Sequence, residues 1–339
     1  MKIRVEAPGF LTTVQDGGRY GYERFGISPS GPLDRQSFQT ANILAGNRRD
    51  ESALEATFLG PELVFDGDGV IALAGADMAA VLNGSPCPSF QAVAVHSGDR
   101  LTLGPARNGC RTYIAFSGGL DIPVVMGSRA TALQNRVGGL EGRKLRSGDV
   151  LVTRPAPLPA GLPYRRAEPR PAGGGVTLRV IPGPQEDAFT KEGLETFLAS
   201  PYTVTNETDR MGCRLNGPVI RHREDGNILS DGMVTGAVQV PTSGQPIIML
   251  AERQTVGGYT KIAAVISADL PLIGQCKAGD VVRFRAVTLA EAHEALRQQE
   301  RELEALEAAL SRPAPFSPEK NYRIRVNGTP YNVTIQRVE

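Results

Sequence analysis

RPAPLPAGLPYRRAEPRPAGGG, residues 154–175, divides the sequence. Proline lacks a backbone N–H and glycine loses the most freedom on ordering, so a run this rich in both sustains neither a ladder nor a helix interior. It predicts a linker over 156–175, and the chain on either side of it reads alike. Short β-rich stretches bounded by Gly or Pro recur before it at 3–5, 62–65, 70–74, 101–103, 111–116 and 150–153. They recur after it at 176–181, 219–220, 237–240, 247–250, 262–265 and 281–286. Such spacing predicts closed or nearly closed β structure in each half, over 1–155 and 176–287. A Gly-Asp turn before a strand appears at Gly98-Asp99, Gly148-Asp149 and Gly279-Asp280, a weak echo between the halves.

Two stretches break the β pattern. PLDRQSFQTANILAGN predicts a helix over 33–45: Pro32 suits the first turn, Asp34 the positive end of the dipole, and Gly46 a left-handed stop. From 289 to 310 the composition turns to Ala, Glu, Gln, Arg and Leu, with leucines at 289, 296, 303 and 310. This predicts an amphipathic helix over 288–311, too short for an obvious zipper and so expected to pack back on its own protein. Past the RPAPFSPEK linker, alternation at Tyr322, Ile324 and Val326, an Asn327-Gly328 turn and alternation again to Ile335 predict a β-hairpin tail over 320–339.

A length of 339 residues allows two ordinary domains and a core that needs neither disulfide nor metal. The 39 glycines and 25 prolines make roughly 19% of the chain against a usual ~12%, which fits many turns and short strands. The 37 Lys+Arg nearly cancel the 36 Asp+Glu, so no field draws the protein to nucleic acid or anionic membrane. Cys87, Cys110, Cys213 and Cys276 are scattered, with no C-x-x-C, and predict reduced core thiols and no metal site. An N-terminus without an apolar h-region, and no run of 18 apolar residues, lead to the expectation of a soluble cytoplasmic protein.

No P-loop, dinucleotide fingerprint, G-x-S-x-G or H-E-x-x-H is present, and His96, His222 and His293 are isolated. No cofactor is therefore expected to bind this chain through a recognisable motif. What stands out instead are loops combining glycines with amides, hydroxyls and arginines, the materials of a pocket for a small carbonyl or carboxylate ligand. One is Thr12 to Gly21, which turn chemistry alone also explains. Another opens at Asp34, either a dipole complement or a site acid, and continues down the helix along Arg35, Gln39 and Asn42 on one ridge. The densest runs through Asp209-Arg210-Met211-Gly212, Gln239, Gln245 and Gln254-Thr255-Val256-Gly257-Gly258-Tyr259. Its glutamines donate and accept, and Thr255 with the glycine backbone offers N–H groups to an oxyanion; a set of satisfied hairpin turns is the plainer alternative.

At these residues the sequence resembles the KipA, or allophanate hydrolase subunit 2, family of biotin-dependent carboxyltransferase-like proteins, which includes the C subunit of 5-oxoprolinase. The resemblance covers roughly residues 3–287. It rests on long ordered strings, among them TTVQDGGRYGYERFGISPSGPLDRQSFQTANILAGN, LEATFLGPELVF, YIAFSGGLDIPVVMGSRAT, DRMGCRLNGP and SDGMVTGAVQVPTSGQPIIMLAERQTVGGYTKIAAVISADLP. It implies a mainly β fold of two cyclophilin-like β-barrel domains. It also implies a KipI-type protein and a LamB/YcsF-type protein as the B and A partners, and an amide or lactam substrate. The leading implication is the C subunit of an ATP-dependent 5-oxoprolinase, ATP being used by the complex. The alternatives are a carboxyltransferase half-site taking CO₂ from carboxybiotin on a separate carrier, and a KipA-type regulator that sequesters a kinase inhibitor. The tail resembles the opening hairpin of a biotin carrier but has no Ala-Met-Lys-Met acceptor. On the leading implication Arg129, Arg210 and Thr255 with the 257–258 backbone hold anions, Gln239 and Gln245 recognise the amide, and Asp34 handles protons. Arg35, Asn42, Gln254 and Tyr259 complete the expected pocket.

Overall fold

The computed structural model of the chain describes residues 1–170, 173–311, 320–326 and 329–335. The first half contains β1 (Lys2–Ala7), β2 (Leu11–Gln15), α1 (Arg35–Leu44), β3 (Ala53–Thr57), β4 (Glu62–Asp66), β5 (Gly69–Asp77), β6 (Val81–Leu82), β7 (Ser85–Pro86), β8 (Ala92–Val95), β9 (Arg100–Thr102), β10 (Asn108–Phe116) and β11 (Val150–Val152). They form two antiparallel sheets, β11-β1-β4-β9-β6-β7 and β2-β3-β10-β5-β8. Alternation along β1 sends Lys2 and Arg4 to solvent and Ile3 and Val5 inward, where they share one core with Leu54, Ile71, Ile114 and Phe116 of the other sheet. The outer face of that second sheet carries small side chains, Ala53, Ala72, Ala74 and Ala115, which let α1 lie close with Phe38, Ala41 and Leu44. Burying Phe38 completely contributes about 1.5–3 kcal/mol.

The helix itself follows its end signals. Asp34 is the N-cap, its carboxylate accepting the Ser37 N–H at 2.9 Å, and Gly46 leaves with φ +80°. The remaining C-terminal carbonyls are met from the connector: the Arg165 guanidinium donates to Ile43 O at 2.6 Å and Leu44 O at 2.8 Å. Residues 154–170 form no ladder, as their composition dictates, yet they are pinned on the first half. Arg165 is buried, Ala92 N–H donates to Arg165 O, and Ala167 N–H donates to Phe90 O.

The second half contains β12 (Val176–Pro182), α2 (Lys191–Ala199), β13 (Tyr202–Val204), β14 (Gly212–Asn216), β15 (Asn227–Gly232), β16 (Ala237–Val240), β17 (Ile247–Met249), β18 (Val256–Val265), α3 (Leu270–Gly274) and β19 (Val281–Ala286). Seven of its strands, in the order β12-β19-β13-β14-β17-β16-β18, close into a barrel when β18 returns to β12; β15 hangs outside on β18. The barrel is filled by Leu178, Val180, Phe189, Tyr202, Leu215, Val238, Ile248, Ile262 and Phe284. The mainly β expectation therefore holds. The expected strand at 219–220 does not form: Pro218 cannot donate to a ladder, and Ile220 N–H turns to Gly244 O instead.

α4 (Leu289–Ser311) packs back across the protein and touches both halves. Leu303 is buried, Glu300 and Glu307 pair with Arg49 of the first half, and Gln299 donates to Ala268 O of the second at 2.6 Å. β20 (Lys320–Val326) and β21 (Thr329–Ile335) pair antiparallel; the Asn327-Gly328 turn expected between them lies outside the described residues. No described helix is long and apolar enough to cross a membrane. All four cysteines are free and buried.

Candidate functional site

The hairpin β16–β17 and the loop that leads into β18 bring the glutamines together. A cleft of about 600 Å³ opens over the barrel, lined by Gln239, Gln245, Gln254 and Tyr259 with Asp209 and Arg214 opposite. Gln239 is almost wholly buried, yet its two contacts are long: it donates to Tyr259 O at 3.5 Å and accepts from Gln254 Nε2 at 3.5 Å. A buried amide with only weak partners is held ready for a better one. Gln245 differs. Its Oε1 accepts Gly217 N–H at 2.8 Å and its Nε2 donates to Gly217 O at 3.0 Å, so it braces a turn while its stem forms cleft wall. Arg214 is half-exposed and reaches Glu207 only at 3.7 Å, which leaves the guanidinium fork open to the cleft.

The glycines below the glutamines divide unequally. A Cβ on Gly257 would stand 2.6 Å from Gln239 Nε2 and 3.0 Å from Gln254 Nε2, so this position must be bare for both amides to sit where they do. A Cβ on Gly258 would meet nothing closer than 3.5 Å. Neither glycine lines the cleft, nor does Thr255, whose backbone carbonyl accepts Met233 N–H at 2.9 Å. An oxyanion hole from Thr255 and the 257–258 backbone is not what the geometry builds.

Arg210 and Asp34 lie elsewhere, in the junction between the halves. Arg210 is buried with all three guanidinium nitrogens engaged: Nε to Glu252 at 2.6 Å, one terminal nitrogen to Glu55, the other to Gly31 O at 2.7 Å and Ser30. Glu55 Oε2 also accepts from Tyr113 Oη at 2.8 Å and Leu33 N–H at 3.0 Å. Desolvation pushes the Glu55 carboxyl up, but the Arg210 and Arg111 charges outweigh it and hold it below its ordinary value. Asp34 is raised by burial, against hydrogen bonds from Gln275 and Ser37. Gln275 Nε2 reaches Asp34 at 2.8 Å while its Oε1 accepts the Cys110 and Arg111 N–H groups, so one amide of the second half threads two elements of the first. These groups fasten the halves together: Arg210 sits between two carboxylates, and Asp34 is held by Ser37 of its own helix and Gln275 of the other half. Glu55 escaped sequence reading; its signal was a lone carboxylate inside the apolar strand ALEAT.

The α1 ridge is also structural in part. Arg35 and Gln39 both reach Asp50, and Asn42 donates to Arg49 O and Glu51 O and accepts from Asn47, fixing the loop after the helix. Arg35 and Arg129 line a different cleft, which shares no residue with the glutamine cleft. Among the described residues no three His, Cys, Asp or Glu side chains are grouped to hold a metal.

A family model described as carboxyltransferase domain, subdomain A and B, matches residues 25–286. The 5-oxoprolinase C subunit of Escherichia coli (strain K12) is 38% identical over 310 residues, 90% of this chain and 97% of that protein. The Haemophilus influenzae protein of the same name is 35% identical over 294 residues, 85% and 92%. The solved Kluyveromyces lactis urea amidolyase superposes with a TM-score of 0.85 at 30% identity, covering 99% of this chain but only 22% of that one. The chain belongs to the family of carboxyltransferase domain, subdomain A and B, proteins.

Proposed function

We propose that this chain is the C subunit of an ATP-dependent 5-oxoprolinase, which with partner subunits opens the lactam of 5-oxo-L-proline to L-glutamate. The observation that carries the reading is extent: the match runs over 97% of the E. coli 5-oxoprolinase C subunit but over 18% of the Lachancea kluyveri urea amidolyase. The glutamine cleft offers suitable chemistry. A lactam presents its N–H and C=O side by side, and the Gln239 and Gln254 carboxamides carry the complementary acceptor and donor. The Arg214 fork suits the ring carboxylate. An unactivated amide resists water; a phosphoryl group placed on the lactam oxygen makes a leaving group, and ATP must supply it. With no nucleotide motif in this sequence, that step belongs to partners, here a KipI-type protein as the B subunit together with a LamB/YcsF-type protein as the A subunit. ATP chemistry suits a cytoplasmic complex, and this chain alone is inactive.

The test is reconstitution from separately purified subunits, read as ATP-dependent glutamate release. The complete mixture is active, the single chain is not, and Gln239→Leu lowers kcat/KM for 5-oxoproline by about tenfold or more, the value of a lost hydrogen bond at a buried amide. Turnover by the chain alone, or full activity of Gln239→Leu, overturns the reading. The urea amidolyase superposition favours a second reading, carboxyl transfer from carboxybiotin on a separate carrier to a urea-like nitrogen. Carboxylated urea formed with biotin carboxylase and carrier, in place of glutamate release, would establish it.

A further inference from the structure

The cleft of about 740 Å³ in the first half, between the loop after β2, the loop after α1 and residues 127–129, has no part in the proposed reaction. Four arginines line it, Arg35, Arg48, Arg49 and Arg129, against four carboxylates, Asp16, Asp50, Glu51 and Glu307. Three of those carboxylates are spoken for by guanidinium groups: Asp50 by Arg35 at 3.2 Å, Glu51 by Arg154 at 2.5 Å and Glu307 by Arg49 at 2.7 Å. Asp16 turns inward to Ser128 Oγ and to the Gly18 and Arg129 N–H groups. Among the described residues this leaves Arg48 and Arg129 facing the cleft with no carboxylate partner.

Arg129 is the better built of the two. Its N–H is held by Asp16 and its Nε by Ile122 O at 2.9 Å, which fixes the plane of the guanidinium and leaves its two terminal nitrogens as the open edge. The loop that carries it is bolted from behind by Arg19, a fully buried arginine donating to Val125 O at 3.0 Å, Ser128 O at 3.4 Å and Ala130 O at 2.9 Å. Within that loop Met126 holds φ +53°, a left-handed conformation costly for a residue with a side chain. Next to it Gly127 faces open space, where nothing would block a ligand. A buried cation, a buried carboxylate and local strain are all spent on aiming one guanidinium edge into a cleft.

We propose that this cleft is a second ligand site, for a small molecule bearing a single carboxylate, gripped end-on by the two terminal nitrogens of Arg129 and supported by Arg48. A planar guanidinium edge matches a carboxylate through two parallel hydrogen bonds. Geometry selects the class: of the two arginines without a carboxylate partner only Arg129 has its Nε tied back, so the cleft offers one fixed planar fork, the match for one planar carboxylate rather than for a tetrahedral phosphate.

Acetate is the probe, titrated into the full chain at constant ionic strength and followed by saturation-transfer NMR on its methyl protons, with inorganic phosphate as competitor. Saturable acetate binding is expected, weakened tenfold or more by Arg129→Gln and less by Arg48→Gln, and unchanged by Arg107→Gln, an exposed arginine outside the cleft. Arg129→Lys keeps the charge but not the fork, and recovers only part of the affinity at unchanged melting temperature. Phosphate competes no better than salt. Absence of saturable acetate binding, equal binding by Arg129→Gln, or phosphate binding more tightly than acetate each overturns the proposal.

Discussion

Replacing Arg210 with Met keeps the bulk of the side chain and removes the charge at the junction. Glu55 and Glu252, both buried, then lose the cation that each contacts. Removing one partner of a buried ionic cluster costs about 3–5 kcal/mol, because the charge left behind is neither solvated nor paired. At roughly 2–4 °C per kcal/mol for a chain of this size, the melting temperature falls by about 6–20 °C. The pH dependence is the sharper readout. In the parent, Glu55 has a depressed pKa, so its contribution is fully present above the unfolded value of ~4.3 and is lost as pH falls through the folded one. In Arg210→Met the desolvation that already pushes this carboxyl up, its largest influence, is opposed by Arg111 at 3.8 Å and by the Leu33 and Tyr113 hydrogen bonds but no longer by Arg210, and the folded pKa rises above the unfolded one. Protonation then favours the fold, so the stability gap between variant and parent narrows as pH is lowered from 7 to 5. Urea unfolding followed by circular dichroism at a series of pH values measures it. A loss under about 1 kcal/mol at pH 7, or a gap that stays constant with pH, would refute the account of the junction.

Thr255→Val leaves glutamate release by the reconstituted complex unchanged, because the hydroxyl is outside the cleft, whereas Gly257→Ala impairs it by driving a methyl against the Gln239 and Gln254 amides; the reverse order in steady-state kinetics would return the oxyanion role to Thr255. Burial pushes the Cys87 thiol up to about 11 and the Cys213 thiol up to about 12, so native protein at pH 8 gives no reaction with a thiol reagent and unfolded protein titrates four groups. Stability carried by these thiols is present below ~8.5 and declines as pH rises beyond it, since only the unfolded chain ionises there.

Elements whose signals are local were legible in the sequence. Pro32, Asp34 and Gly46 bracket α1 closely, and the glutamines that share a cleft lie on one hairpin and the loop after it. Roles that depend on distant partners were not. Arg210 looks like an anion-binding arginine until Glu55, 155 positions away, is folded against it. Asp34 looks equally like a site acid or a cap, and only Gln275, 241 positions on, reveals a junction residue. The glycine at 257 matters through two side chains that periodicity cannot place above it. The connector's composition foretold the missing ladder but not the buried arginine that ties it to α1.

The closure of each half also bears on how the chain is made. β1 pairs with β11, and β12 runs parallel to β19, so the first strand of each half waits for its last. During synthesis at about 5–20 residues per second, the edge of β12 stays open for the roughly 5–20 s needed to translate as far as β19. For the early part of that interval, until residue 210 is made, Glu55 sits in the first half without Arg210. The nascent chain therefore passes through a stage with one unpaired sheet edge and one buried carboxylate that has Arg111 but not yet its closer cation, the stage at which a ribosome-bound chaperone would find most to hold.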